Sequence, residues 1–415
     1  MKKSIMYLAA LTLVAVMAIG VNGCKKDDGP SDLQISTLMA GTINLNEATA
    51  PTNVPSVTTI TAAFNTNIDA ASATSSTITL QRDYDNANIS LTYAVTGSTI
   101  VITPTGDLGN GALYKLTFTT GLKSTDGLAM TSALERAFTT VGTFVPAGMI
   151  AYFDFNDNAN DQVGSYSPAA AGIIGLTYVD SRNAAAGKAG AFNGTTTLVE
   201  IPNGDLIQNT ADFSLAFWVK ADSTKHGQFV LGLAGWYGFQ FEIAGDYTWC
   251  KLAAQYNLGD GSSDSEDLWF PGNGETGANG GWQGWTFCKD LTTSGGVQGL
   301  LADKWASVVC TYDAATKVGT MYINGEKMKA QDFNLWPDGD AKRNITGLKY
   351  AGLAGNNHIA LGFIQDKNDP TITDGWADYN DPNNNHFKGQ MDDLRFYHKA
   401  LTETEIGLMY NSEKP

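Results

Sequence analysis

The segment "DKWASVVCTYDAATKVGTMYINGE", residues 303–326, decides the fold class. Its first half alternates so that Val308 and Cys310 fall on one face of an extended chain, which is typical of a strand with one buried face. Its second half runs into Asn324-Gly325, the strongest two-residue hairpin signal. The segment therefore predicts antiparallel strands, with Cys310 as a small buried hydrophobic residue.

The same kind of pattern continues on both sides of this hairpin. Only 16% of the residues are charged, 45 are glycine, and the chain is rich in threonine, valine, isoleucine and asparagine, a composition that suits strands and turns. Short strand patterns fill residues 35–142, and a second series fills residues 150–412 after a linker at 143–149. We therefore predict an all-β protein with two β-rich domains.

Residues 1–24 are expected to be a signal peptide. Lys2 and Lys3 precede the apolar run "YLAALTLVAVMAIG", and "VNGC" ends at Cys24. This ending resembles the lipobox of bacterial lipoproteins, which implies that Cys24 is acylated; an ordinary signal peptide with a chance cysteine is the alternative. The "KKDDG" in the linker 25–34 resembles the surface-export signal of Bacteroidetes lipoproteins. These resemblances imply a lipid-anchored protein of the outer membrane, exposed on the cell surface.

Each domain also resembles a known family. The strands of 35–142 are similar to the bacterial Ig-like domain, which is usually a spacer. Residues 150–412, ending in "GQMDDLRFYHKALTETEI", resemble the LamG-like or concanavalin A-like jelly roll of bacterial surface proteins. An aromatic-rich insert at about 225–301 interrupts the second resemblance. The expected fold is an Ig-like β-sandwich followed by a LamG/concanavalin A-like jelly roll. The resemblance implies that the protein captures glycan, with other surface glycan-uptake proteins as partners.

The LamG-like resemblance also implies a structural Ca²⁺ ion. Acids of the first and last strands commonly bind it in that family, and the matching positions here are Asp161 and Asp392, with Asn156 as a weaker third ligand. Oxygen donors of this kind suit Ca²⁺. Asp157 stands where the family tends to have glycine, which leaves the ligand set open, and solvated turn acids are the alternative.

The insert holds five of the nine tryptophans, which makes it the candidate ligand site. Flat indole faces stack on sugar rings, and tryptophan loses little side-chain entropy on binding. We expect some of these rings to form a small core of the insert and others to face a carbohydrate, especially those beside glycines. The predicted carbohydrate-binding residues are Trp236, Tyr237, Trp269, Trp282 and Trp285, of which Trp236, Trp282 and Trp285 are expected to be exposed.

Three cysteines follow the anchor. Since Cys310 is assigned to a buried strand face, elimination favours a disulfide between Cys250 and Cys288, although sequence alone does not fix connectivity. A disulfide can persist outside the cytoplasm.

The sequence favours binding over catalysis. The E-x-D-x-x-E strand of β-glucanases with this fold is absent, and the acidic stretch "DSEDLWF" has the character of a solvated loop. Four scattered histidines show no zinc spacing. The net charge of −16 argues against a nucleic-acid partner. A non-catalytic glycan-binding lipoprotein is therefore predicted; a glycoside hydrolase and a protein-binding adhesin are the alternatives.

Overall fold

A computed structural model of the chain describes residues 32–276 and 284–415, and it confirms the all-β fold class. The first domain has nine strands. They are β1 (Ile35–Ala40), β2 (Ile43–Asn44), β3 (Ile60–Phe64), β4 (Ile78–Arg82), β5 (Asn88–Ile89), β6 (Leu91–Thr96), β7 (Thr99–Pro104), β8 (Leu113–Phe118) and β9 (Leu134–Thr139). Two sheets, ordered β2-β1-β3-β7-β6 and β5-β4-β8-β9, form its sandwich.

The second domain contains the other strands and three short helices. The strands are β10 (Met149–Phe153), β11 (Ile173–Ile174), β12 (Thr177–Asp180), β13 (Lys188–Asn193), β14 (Leu198–Ile201), β15 (Phe213–Ala221), β16 (Gln228–Leu233), β17 (Phe239–Ala244), β18 (Trp249–Asn257), β19 (Ser263–Phe270), β20 (Trp285–Cys288), β21 (Ala306–Asp313), β22 (Val318–Ile323), β23 (Glu326–Asp332), β24 (Gly347–Leu348), β25 (Ile359–Leu361) and β26 (Lys388–Tyr397). The helices are α1 (Gly204–Gln208), α2 (Gly296–Leu301) and α3 (Glu403–Glu413).

These strands form two large sheets that face each other. The nine-stranded sheet has the order β12-β13-β26-β15-β21-β22-β23-β20, with β10 paired to β26. The eight-stranded sheet has the order β11-β14-β25-β16-β17-β18-β19, with β24 paired to β18. The main core lies between them and takes alternate residues from each strand, such as Phe217 and Phe241, whose rings meet edge to face at 5.2 Å.

The predicted hairpin turn and the predicted burial of Cys310 are confirmed. Asn324 and Gly325 form the turn between β22 and β23 with φ of 55° and 75°, the positive values that a type I′ turn needs. Thr402 caps helix α3, and Glu405 completes the capping box. Cys310 is fully buried in the core, as expected.

The insert at 225–301 is not a separate unit, which corrects the expectation of inserted loops with their own small core. It contributes β16 to β19 to the eight-stranded sheet and β20 to the nine-stranded sheet. Phe270 and Cys288 belong to the main core between the sheets. Trp249, Trp269 and Trp285 of this segment therefore stand on paired strands of the two sheets.

The outer face of the nine-stranded sheet is covered. Buried residues on that face, such as Ala216 and Val309, join Ile406 and Met409 of α3 in one apolar cluster with the core of the first domain. The backbone N–H of Phe144, in the linker, donates to Ser412 Oγ at 3.0 Å. The first domain thus packs against this side of the jelly roll, and the eight-stranded sheet faces the other way.

Candidate functional site

A row of side chains crosses the outer face of the eight-stranded sheet. The strand register places Phe229 of β16 opposite Glu242 of β17, Glu242 opposite Lys251 of β18, and Lys251 opposite Trp269 of β19. Because side chains alternate along a strand, the neighbours of these residues point into the core instead. We call these four residues the cross-strand row. Three strand-to-strand steps of about 4.8 Å make it about 14 Å long.

The middle of the row is charged. Lys251 Nζ lies 3.2 Å from Glu242 Oε1 and 2.7 Å from Asp267 Oδ2, so one ammonium group bridges two carboxylates. Burial raises the pKa of Glu242, and Lys251 opposes that shift. Burial lowers the pKa of Lys251, but Asp267 and Glu242 outweigh it, so that the pKa is raised and the ammonium group stays charged. Glu242 is 7% exposed and Lys251 is half-buried, so Asp267 is the member of this ion-pair network that is most open to solvent.

Three tryptophans form a pocket at the β19 end of the row. Trp249, Trp269 and Trp285, together with Lys251 and Asp267, line a space of about 430 Å³ that opens to solvent. The Trp249 and Trp269 rings meet edge to face at 6.3 Å, and those of Trp269 and Trp285 lie 5.3 Å apart. Trp249 and Trp269 are half-buried. We call this group the tryptophan pocket.

Trp285 is the buried wall of this pocket, and the prediction that it is exposed is wrong. It is 1% exposed, and Lys329 Nζ lies 3.2 Å from its ring centroid. Burial lowers the pKa of Lys329 to about 8, against the opposing effect of Cys288 and Glu275. Gly284 has positive φ, and a Cβ there would collide with the carbonyl of Asp332. The glycine thus permits close packing of Trp285 instead of leaving it in water. Trp282 lies outside the described residues.

A second aromatic group lies at the β16 end of the row. Trp236 stacks on Tyr237 at 5.8 Å and on Trp376 at 5.7 Å, with interplanar angles of 26° and 28°. Trp376 also meets Phe229 of the row at 6.1 Å. Trp376 is 41% exposed and Tyr237 36%, whereas Trp236 is half-buried, not exposed as predicted, because Trp376 covers one of its faces. We call these three residues the aromatic stack.

Trp376 is not among the predicted binding residues, because ligand-facing rings were expected only within the insert. It lies 140 positions after Trp236, in the Asp-rich stretch "DGWADYNDPNNN". A glycine precedes Trp376, as one precedes Trp236, so the criterion that selected Trp236 could also have selected Trp376. The structure brings Trp236, Tyr237 and Trp269 to the outer side of the eight-stranded sheet. There Trp285, from strand β20 at the edge of the nine-stranded sheet, contacts Trp269.

The interpretation of "DSEDLWF" as a solvated loop is also wrong. These residues form β19, in which buried and exposed positions alternate. Glu266 is buried and pairs with Lys342 at 2.6 Å, while Asp267 faces outward into the tryptophan pocket. The sequence pattern failed here because a charged residue occupies an inward position and its partner lies 76 residues away.

The predicted disulfide does not form. Cys250, Cys288 and Cys310 are all free thiols. Cys250 is on the eight-stranded sheet, where its Sγ lies 3.8 Å from Met321 Sδ, and Cys288 is on the nine-stranded sheet beside the carbonyl of Lys289. Burial raises the pKa of the Cys250 and Cys310 thiols, which keeps them protonated.

The residues predicted to bind Ca²⁺ already have other partners. Asp161 accepts hydrogen bonds from four backbone N–H groups of its own loop and strand β10. Asp392 is fully buried and pairs with Arg182 at 2.6 Å. Asn156 Oδ1 accepts from the backbone N–H of Lys188 at 2.8 Å. These three side chains therefore do not fit a calcium site in this arrangement. In residues 32–276 and 284–415, no three His, Cys, Asp or Glu side chains converge as metal ligands.

Cys24 and the rest of the signal segment lie outside the described residues. Within the part of the chain that the structure covers, no helix has both the length and the apolar character needed to cross a bilayer.

Comparison with known families supports the two-domain reading. Residues 43–140 match the bacterial Ig-like domain, and residues 193–355 match the concanavalin A-like lectin/glucanases superfamily. The chain thus contains an Ig-like domain followed by a concanavalin A-like domain. A search of curated protein sequences found no match.

Several solved structures are similar to this chain at low identity. Domain 4 of AbnA, a GH43 extracellular arabinanase from Geobacillus stearothermophilus, in complex with arabinotriose, is 20% identical, with a TM-score of 0.38 over 63% of this chain and 98% of its own. The binding domain of Paraclostridial Mosquitocidal Protein 1 is 14% identical, with a TM-score of 0.39 over 64% of this chain and 52% of its own. The match thus spans about half of the latter structure.

Proposed function

We propose that this protein is a non-catalytic carbohydrate-binding protein that holds a polysaccharide against the outer face of its eight-stranded sheet. The observation that carries this proposal is the pair of partly solvent-exposed aromatic groups at the two ends of the cross-strand row. Sugar rings stack their C–H faces on indole, while their hydroxyls bond to charged side chains such as Glu242, Lys251 and Asp267. The rings of the tryptophan pocket, which are held on paired strands, lose little freedom on binding.

The spacing favours an extended ligand. The row separates the aromatic stack from the tryptophan pocket by about 14 Å, estimated from the strand spacing. One sugar ring does not bridge that distance, whereas a chain of several sugars lying across the strands contacts both groups. The charged residues between them then bond to the middle of the glycan.

Binding without cleavage follows from the environment of the two carboxylates. A glycosidase needs one carboxylate free to protonate the leaving group and a second free to act as nucleophile or base. Here a single ammonium, that of Lys251, bonds to both Glu242 and Asp267. We therefore propose that these acids hold hydroxyls. Reducing ends that accumulate when the chain is incubated with a bound polymer would contradict this part of the proposal.

The proposed setting is the cell surface of a Bacteroidetes bacterium, with the protein anchored in the outer membrane through Cys24. This part is supported by the sequence resemblance alone. A Cys24→Ala variant is expected to leave the membrane fraction. A variant that stays there as firmly as the wild type would contradict anchoring at Cys24.

Affinity electrophoresis against a panel of neutral polysaccharides tests binding. We expect at least one polymer to retard the protein. Trp269→Ala and Trp376→Ala should each weaken retardation by up to about tenfold, since one stacking contact contributes about 0.5–1.5 kcal/mol. Tyr93→Ala removes a ring from the first domain and serves as the control, which should leave retardation unchanged. Binding that survives both tryptophan substitutions would refute the proposed site. Binding to a protein that free oligosaccharides do not compete away would favour an adhesin.

A further inference from the structure

The segment 365–379 contains a buried carboxylate with an unused oxygen. Asp369 is 6% exposed and lines a polar pocket of about 580 Å³. Its Oδ1 accepts the backbone N–H of Thr371 at 2.8 Å, but among the described residues its Oδ2 has no hydrogen-bond partner. A buried carboxylate oxygen without a donor is costly by about 1–3 kcal/mol or more. This oxygen therefore points to a ligand that supplies positive charge.

Other carboxylates concentrate negative charge beside Asp369. Asp366 is also buried and lines the same pocket, and its Oδ1 accepts the backbone N–H of Asn368 at 2.8 Å. Burial raises the pKa of Asp369, and Asp366 adds to this shift. Burial raises the pKa of Glu200, and Asp366 again adds to it. Asp366 thus acts electrostatically on both Asp369 and Glu200.

Two positive groups lie near these acids: Lys367, which also lines the pocket, and His358. His358 Nδ1 lies 2.8 Å from Asp366 Oδ2, and Lys367 Nζ lies 3.9 Å from Glu200 Oε2. In the described residues, no ion pair of 4.0 Å or less involves Asp369. The pocket therefore combines oxygen donors, unbalanced negative charge and one carboxylate oxygen that is free to bind.

We propose that Asp369 and Asp366 bind a Ca²⁺ ion in this pocket, with main-chain carbonyls and water as the remaining ligands. Ca²⁺ takes six to eight oxygens and accepts carbonyl and water ligands, so two carboxylates are sufficient as the charged part of a site. The site differs from the one that the LamG-like resemblance implies, because none of Asn156, Asp161 and Asp392 contributes to it. The ion supplies the charge that Asp369 Oδ2 lacks.

The proposed ion also has a consequence for the aromatic stack, and this consequence rests on the proposed function. The same segment carries Trp376 between Asp374 and Asp378, and Gln365 ties it together by donating to the carbonyls of Ile372 and Ala377 at 3.0 and 3.1 Å. Ca²⁺ bound to Asp366 and Asp369 fixes the start of this segment. Glycan affinity should then fall in chelator, through weaker placement of Trp376.

The test measures the ion without any glycan, so its failure is distinct from failure of the proposed function. The chelator-treated chain is titrated with Tb³⁺ under tryptophan excitation, and Ca²⁺ is then added in competition. We expect sensitised emission that Ca²⁺ displaces. Asp369→Asn should weaken Ca²⁺ binding at least tenfold, because it keeps the shape of the side chain and removes its charge. Asp338→Asn, at an exposed acid elsewhere, and Asp161→Asn should bind as the wild type does.

A thermal melt distinguishes lost binding from lost folding. Without Ca²⁺, Asp369→Asn should melt at or above the wild-type temperature, since it removes a buried charge. With Ca²⁺, only the wild type and the two controls should gain stability. If Asp369→Asn does not fold, Asp366→Asn takes its place with the same expectation. A wild-type chain that binds no Ca²⁺ at millimolar concentration, or an Asp369→Asn variant that binds it equally well, overturns the proposal.

Discussion

The two outer faces of the jelly roll use tryptophan in opposite ways. On the nine-stranded sheet, Trp218 is 2% exposed, its indole N–H donates to Glu413 at 2.8 Å, and its ring stacks on Tyr410 of helix α3. On the eight-stranded sheet, Trp269 stands at a similar outward position but remains half-buried. The residue type is the same, and the difference is the covering helix. An outward tryptophan is structural where a later element packs over it, and is available to a ligand where none does.

The largest expected effect is on the covered face. Trp218→Ala removes a fully buried ring, its hydrogen bond and the stacking partner of Tyr410, and it should lower the free energy of unfolding by about 3–5 kcal/mol. Trp376→Ala, at a ring that is 41% exposed, should change it by less than about 1 kcal/mol. Urea unfolding of the two variants measures the contrast. Equal losses would show that the stack on the open face is structural too, and would remove the distinction drawn here.

How far the sequence predicts this contrast depends on the range of each interaction. The Asn324-Gly325 turn, whose prediction is confirmed, and the Thr402 capping box are each set by residues within a few positions of each other. The exposure of Trp236 depends on Trp376, which lies 140 positions later in the sequence. A contact between residues so far apart in the sequence depends on the sheet topology, and local sequence patterns do not reveal that topology.

The candidate site shows the same division. Residue type and glycine neighbours identified four of the rings in the tryptophan pocket and the aromatic stack, because aromatic density is visible in the sequence. They gave the wrong exposure for Trp285, since glycine permits close packing as readily as it leaves a neighbour in water. They also missed the inward position of Glu266, whose partner Lys342 is supplied by a distant loop.

A smaller effect is expected from pH, again on the covered face. Burial, together with Asp393, raises the pKa of Asp392 to about 8, although Arg182 opposes this shift. The unfolded chain has the ordinary aspartate pKa of about 3.9, so the folded state binds more protons between these values. Stability from this group is complete below about pH 4 and is lost as the pH rises through 8. Between pH 7 and 9 the free energy of unfolding should fall by about 1 kcal/mol.

Asp392→Asn is the control for this pH effect, because an amide does not titrate. Its stability should change less than that of the wild type over the same interval, as measured by urea unfolding at pH 7, 8 and 9. Identical pH profiles for wild type and variant would show that Asp392 is ionised throughout.

The smallest expected effect is that of a reducing agent. A disulfide between Cys250 and Cys288 would contribute about 2–4 kcal/mol, and its reduction would lower the melting temperature by several degrees. Because all three thiols are free and buried, we expect no change in the melting temperature with dithiothreitol, and three reactive thiols after unfolding in its absence. If only one thiol reacts after unfolding, a disulfide between Cys250 and Cys288 joins the two sheets. The tryptophan pocket, whose walls come from β18, β19 and β20, would then be held by a covalent bond as well as by packing.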